Sequence, residues 1–231
     1  MRAAQKSKSK SIPLSKVVSI PPKAHPSTNI EHDRITDLVS YLPSASTVDI
    51  VDRFSDGLRG YTNGRIMSVT GPYGSGKSTM AMFLKGLVAG VDSDEWDAAY
   101  QILRRESPEI ARNLKIRRKK AGIHEDGLIR CMVTARKEPI VATMLRALHA
   151  GAAEYFGKSY AAKDFAKARD LHKWIRDLKR SKLPAPDVIT DIISSMCSAA
   201  PVMIMIDEFG KNIEYFAADV AQEGDLFLRS E

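Results

Sequence analysis

Nine consecutive residues, Gly71-Pro72-Tyr73-Gly74-Ser75-Gly76-Lys77-Ser78-Thr79, constrain this chain more than any other stretch. Glycines at 71, 74 and 76 allow a tight turn through backbone conformations that a Cβ would forbid. The apolar run Arg65-Ile66-Met67-Ser68-Val69-Thr70 precedes the turn and reads as a buried strand. A helical pattern carrying Met80, Met82, Phe83, Leu84 and Leu87 follows from near Lys77. Strand, glycine-rich turn and helix in that order require a sheet for the strand to join and a helix packed against it. Residues 128–134 and 202–206 read as two more strands, with helical patterns at roughly 140–156, 163–181 and 187–199 between them. Apolar strands separated by helices imply a parallel sheet covered on both faces. The expected fold class is therefore α/β, three layers built on a parallel sheet, with helical insertions such as the charge-mixed stretch 94–120.

The nine residues also carry chemistry. Gly71-x4-Gly76-Lys77-Ser78 fits the Walker A pattern of a P-loop, whose successive N–H groups form a nest for phosphate oxygens at a helix N-terminus. In that reading Gly71, Pro72, Tyr73, Gly74, Ser75 and Gly76 form the cradle, Lys77 reaches the β- and γ-phosphates, Ser78 ligates Mg2+ and Thr79 contacts the α-phosphate. The bland alternative is a chance glycine-rich turn, against which both flanks argue. The third strand ends in Asp207-Glu208, a Walker B pattern. Ligands gather at the carboxyl ends of strands in such sheets, so Asp207 is expected beside the metal held by Ser78. Glu208 is then the expected base for an attacking water. Solvated acids at a strand end would look the same in isolation. The expected ligands are ATP and Mg2+, and two adjacent acids favour hydrolysis over transfer to a bound acceptor.

The acid directly after Asp207, and the extra strand between the two motifs, resemble the additional-strand class of P-loop ATPases, and within it the AAA-type enzymes. Residues 71–78, Thr134-Ala135-Arg136-Lys137-Glu138-Pro139 and Ile206-Asp207-Glu208-Phe209-Gly210-Lys211 together look like large prokaryotic ATPases of antiviral defence, the P-loop component of bacteriophage-exclusion (BREX) systems among them. The resemblance spans roughly residues 50–231. It implies a sheet order of 5-1-4-3-2, ATP hydrolysis coupled to conformational work, and a homo-oligomer or larger protein complex, with DNA as an open partner. It also suggests that Thr134 restrains Glu208, although a Thr serving the following turn fits equally. Strands 1–3 of that order are found, but no fourth strand, sensor residue or arginine finger, so the chain reads as the N-terminal portion of a longer ATPase that would hydrolyse poorly alone. A nucleotide-gated switch with little turnover, or a non-catalytic fragment, are the alternatives.

Composition divides the chain. Residues 1–30 carry six Lys or Arg and no acid and are rich in Ser and Pro, which reads as a basic disordered arm; 31–231 then hold nearly equal numbers of acids and bases within an overall charge of +7. The arm is a solubilising leader or a phosphate-contacting segment. The run Lys115-Ile116-Arg117-Arg118-Lys119-Lys120 reads as a solvated helix end, or as a contact for nucleic acid or an acidic partner. Two distant cysteines, Cys131 and Cys197, give no disulfide framework or zinc spacing, and no apolar run suggests a membrane span or export signal, so a cytoplasmic location is expected. Deleting residues 1–30 should leave nucleotide affinity unchanged while weakening any DNA binding and flattening its salt dependence, because counterion release scales with the phosphates neutralised. Salt-titrated binding to duplex DNA measures this; indifference to the deletion would move the contact to 115–120.

Overall fold

The computed structural model describes residues 29–33, 41–58, 65–123, 125–180 and 182–228. The basic arm, apart from its last two residues, lies outside them. The described residues form a mixed α/β fold of eight helices and two strands: α1 (Ala45–Gly57), α2 (Lys77–Leu87), α3 (Asp94–Glu106), α4 (Pro108–Lys120), β1 (Ile129–Thr134), α5 (Ile140–Tyr155), α6 (Ala168–Leu178), α7 (Pro186–Cys197), β2 (Val202–Asp207) and α8 (Gly210–Leu228).

β1 and β2 pair in parallel, with Ile129 opposite Val202 and Thr134 opposite Asp207. Parallel neighbours need a long crossover, which α5, α6 and α7 provide. Strand side chains alternate between faces. Ile129, Cys131 and Val133 accordingly pack with Leu145 and Leu148 of α5 and with Ile189, Ile192 and Met196 of α7. Leu128 and Met132 point the other way, to Ala81 and Met82 of α2, and Met203 of β2 joins them. Helices therefore cover the sheet on both faces. A third cluster joins Phe83, Leu84 and Leu87 of α2 to Trp96, Leu103 and Leu114 of α3 and α4 and to Val51 of α1. From Met80 to Leu87 every residue of α2 is buried.

Residues 65–70, expected as a buried strand, are not one: no strand is assigned there, all six residues are exposed, and Ile66 is 97% exposed. A strand is held by ladder bonds to a neighbour, and among the described residues the sheet consists of β1 and β2 alone, with no further strand for this run to join. The stretch 94–120 is two helices rather than one. Pro108 cannot continue α3, and Ser107 accepts the Ile110 N–H as N-cap of α4, with Pro108 at its first position. α8 runs through Gly224, and α6 is shorter than the 163–181 pattern.

The basic run at the end of α4 is largely structural. The Arg118 guanidinium is buried, donates to Leu87 O at 2.8 Å and Ala89 O at 2.9 Å, and lies over the Trp96 ring at 4.4 Å. It satisfies carbonyls at the C-terminus of α2, where cations are favoured, and burial lowers its pKa to about 10, still charged at neutral pH. Arg117 pairs with Asp52 and Asp56 of α1. The solvated reading therefore fails for these two residues.

α5 sits close against β1 because of Gly151. A Cβ there would stand 2.4 Å from Cys131 Sγ and 3.0 Å from Cys131 Cα. Burial around the same contact pushes the Cys131 thiol up to about 12, so it stays protonated. Gly151→Ala should lower stability by about 1–3 kcal/mol through overpacking, despite the better helix propensity of alanine. Urea unfolding checks this; a neutral or stabilising result would mean that the α5–β1 contact yields freely.

Candidate functional site

The site begins at the N-terminus of α2. Gly74 (φ 77°) and Gly76 (φ 80°) both take the left-handed conformation, and Gly76 is the N-cap. A helix leaves its first N–H groups without intrahelical acceptors, and a glycine cap has no side chain to supply one. The first intrahelical bond runs from Met80 N–H to Gly76 O at 2.9 Å. The loop is open to solvent: residues 71–76 are exposed and Tyr73 is 97% so. Lys77 folds back over it, its Nζ donating to Gly71 O at 3.0 Å and Pro72 O at 2.8 Å. Those carbonyls hold the ammonium at the mouth of the loop.

The carboxyl end of β2 reaches the same place. Ser78 Oγ donates to Asp207 Oδ2 at 2.7 Å, joining residues 129 apart in sequence. Asp207 Oδ1 accepts the Glu208 N–H at 2.9 Å, so both carboxylate oxygens are engaged. A hydroxyl and a carboxylate in contact are two hard oxygen donors, the type that Mg2+ uses together with phosphate oxygens and water. Among the described residues no group of three or more His, Cys, Asp or Glu is placed to hold a metal alone. A cation at this point would thus need oxygens from its ligand, and the donor set fits Mg2+ carried by a phosphate.

Glu208 has φ 55°, a left-handed conformation unusual for a residue with a side chain. Its carboxylate, half-exposed, pairs with Lys211 three residues on, and the bond and charge of Glu208 raise the Lys211 pKa. Thr134, proposed to restrain Glu208, makes other bonds: its N–H donates to Glu31 Oε1 at 2.7 Å and its carbonyl accepts from Arg146 at 3.2 Å. The resemblance anticipated a restraint on Glu208, and the structure supplies a different one. Lys211 stands within the quoted 206–211 segment, and an opposite charge three residues beyond Glu208, across the turn into α8, is the signal that could have singled it out. Asn212, buried behind the turn, gave no such signal, because a lone Asn reads as surface.

A cavity of about 220 Å³ lies along the outer edge of β1, lined by Glu31, Lys85, Arg130, Arg136, Arg146 and Glu154. Most of these charges are paired with one another or with Glu95 and Glu138, and none of the 71–79 residues lines it. Among the described residues no helix is long and apolar enough to cross a membrane. Comparisons of the chain with protein-family models, curated proteins and solved structures found no match.

The Ser78–Asp207 bond should be measurable in the protein without nucleotide. Ser78→Ala is expected to cost about 1–2 kcal/mol in urea unfolding, as a hydrogen bond to a partly solvated charge. Asp207→Asn, whose amide oxygen can keep the Glu208 N–H while its NH2 donates to Ser78 Oγ, should cost less. No loss in Ser78→Ala would show that the bond does not fasten β2 to α2.

Proposed function

We propose that this chain has a P-loop NTPase core, binds ATP with Mg2+ through residues 71–79, and hydrolyses it to drive conformational work within a larger, oligomeric assembly. The observation that carries the reading is the 2.7 Å contact of Ser78 with Asp207. Two motifs chosen separately in the sequence meet through the two side chains expected to share the metal. Support comes also from the left-handed Gly74 and Gly76 and from Lys77 held on loop carbonyls that a phosphate oxygen can replace. Mg2+, when bound, neutralises charge on the phosphate oxygens. Lys77 adds a second positive charge there, and the α2 N-terminus orients N–H groups toward the anion. Glu208 takes the proton of the attacking water. Work in antiviral defence or on DNA follows only from the motif resemblance.

One observation favours the second reading, a nucleotide-gated switch with little turnover: the expected base is ion-paired with Lys211 and must leave it to act. Single-turnover hydrolysis at saturating Mg-ATP separates the two. Lys77→Ala is expected to abolish binding or hydrolysis, and unchanged affinity and turnover would remove the phosphate-cradle reading. Glu208→Gln should keep Mg-ATP affinity and suppress hydrolysis, since an amide cannot take the proton. Binding without detectable hydrolysis in the wild-type chain would leave the switch.

A further inference from the structure

The start of α8 inverts the usual logic of burial. Large apolar side chains face solvent here: Phe209, just before the helix, is 47% exposed, and Ile213 and Phe216 in its first two turns are 57% and 66% exposed. The residue it buries is an amide, Asn212, at 5%. Helices are ordinarily fastened by apolar side chains, and a buried polar group must find partners to be tolerated. Asn212 finds two on another element. Its Nδ2 donates to Glu138 O at 2.8 Å and to Thr143 Oγ1 at 2.9 Å, across 74 and 69 residues of sequence. A backbone carbonyl only accepts, so the orientation of the amide is fixed by its partner. Thr143, fully buried, passes its own hydrogen to Glu138 Oε1 at 2.8 Å, and that carboxylate also receives Arg146. Asn212 Oδ1 is buried with no hydrogen-bond partner. An apolar side chain in this place would leave no unpaired carbonyl of its own. The amide contributes direction instead.

What it directs is the turn between β2 and α8. At one end of the turn Asp207 is fixed by Ser78 and by the strand register opposite Thr134. At the other end stands Asn212. Between them Glu208 holds φ 55°, with local bonds from Lys211 N–H to Glu208 O at 2.9 Å and from Asn212 N–H to Phe209 O at 3.0 Å. A left-handed residue with a side chain persists only where its surroundings over-determine it. The turn is pinned on both sides, and the pinned conformation aims the Glu208 side chain. We propose that Asn212 is a positioning residue for Glu208: by anchoring the start of α8 to Glu138 and Thr143, it sets where the Glu208 carboxylate can meet the attacking water. This rests on the assignment of Glu208 as the base.

The test is a double-mutant cycle in the full chain, read by single-turnover hydrolysis of Mg-ATP and by Mg-ATP affinity. Asn212→Leu keeps the γ-branched shape, adds some bulk and removes the donor. It is expected to slow hydrolysis by about 10²-fold, the cost of a misplacement on the order of 1 Å, with affinity unchanged. In the Glu208→Gln background it should cost nothing further, because a residue acting through Glu208 is silent once the base is gone. Thr143→Val, which removes one acceptor and leaves the Glu138 carbonyl, should show the same pattern at smaller size and serves if Asn212→Leu does not fold. Hydrolysis at the wild-type rate in Asn212→Leu, or an equal slowing in both backgrounds, overturns the positioning role alone. Wild-type turnover in Glu208→Gln removes the base assignment and the positioning role with it.

Discussion

Two parallel strands cannot be joined by a tight turn, and most of this structure follows from that. The chain must travel from the end of β1 back to the start of β2, and it does so through α5, α6 and α7 packed on one face. The return fixes the register that sets Thr134 opposite Asp207, so the carboxyl ends of both strands fall at one level. α2 lies on the other face with its N-terminus at that same level, where Ser78 meets Asp207. A slip of one residue in β2 would turn Asp207 to the opposite face and lose the contact. The candidate site is thus a consequence of strand pairing rather than an addition to it.

Around this pair the structure uses charge as a fastener more than the sequence suggests. Arg118 closes the carbonyls at the C-terminal end of α2, Arg117 ties α4 to α1, and Arg130 joins Glu95 of α3 and Glu154 of α5 to β1. Removing one member of such a group leaves its partner desolvated, which costs more than the contact gains. Lys85, buried on α2, reaches Glu154 in the same network. Two of these ties, those of Arg118 and Lys85, hold α2, the helix that presents the loop.

The glycine-rich loop and the turn after β2 differ in how they are held. The 71–76 loop is exposed and bonded mainly to its own residues and to Lys77, an arrangement that a ligand can reorganise at little cost. The turn after β2 is pinned by Asp207 and Asn212 and carries a left-handed Glu208. The loop can therefore rearrange more freely than the acidic turn, which is held from both sides. Within that turn the Glu208 carboxylate is itself paired with Lys211.

The sequence by itself determined the local pieces: the glycines of the loop, the helix behind it, both strands of the sheet, and the acids closing the second of them. Each is written in contiguous residues whose pattern reports its own conformation, such as Val202-Met203-Ile204-Met205-Ile206 before Asp207. The two motifs were legible because glycine-rich turns and acid-capped apolar runs are local signatures. The sequence misled where an outcome depended on neighbours. Residues 65–70 have the composition of a buried strand, yet a strand exists only with a ladder partner, and among the described residues none stands beside them. Arg117 and Arg118 read as solvated until α1 and the end of α2 were placed against them. Tertiary structure alone decided that Ser78 and Asp207 touch, that Lys211 rather than Thr134 holds Glu208, and that α8 is anchored by Asn212. Those are contacts between one local piece and another, or choices among several nearby partners, and side-chain identity leaves both open until packing brings the atoms within bonding distance.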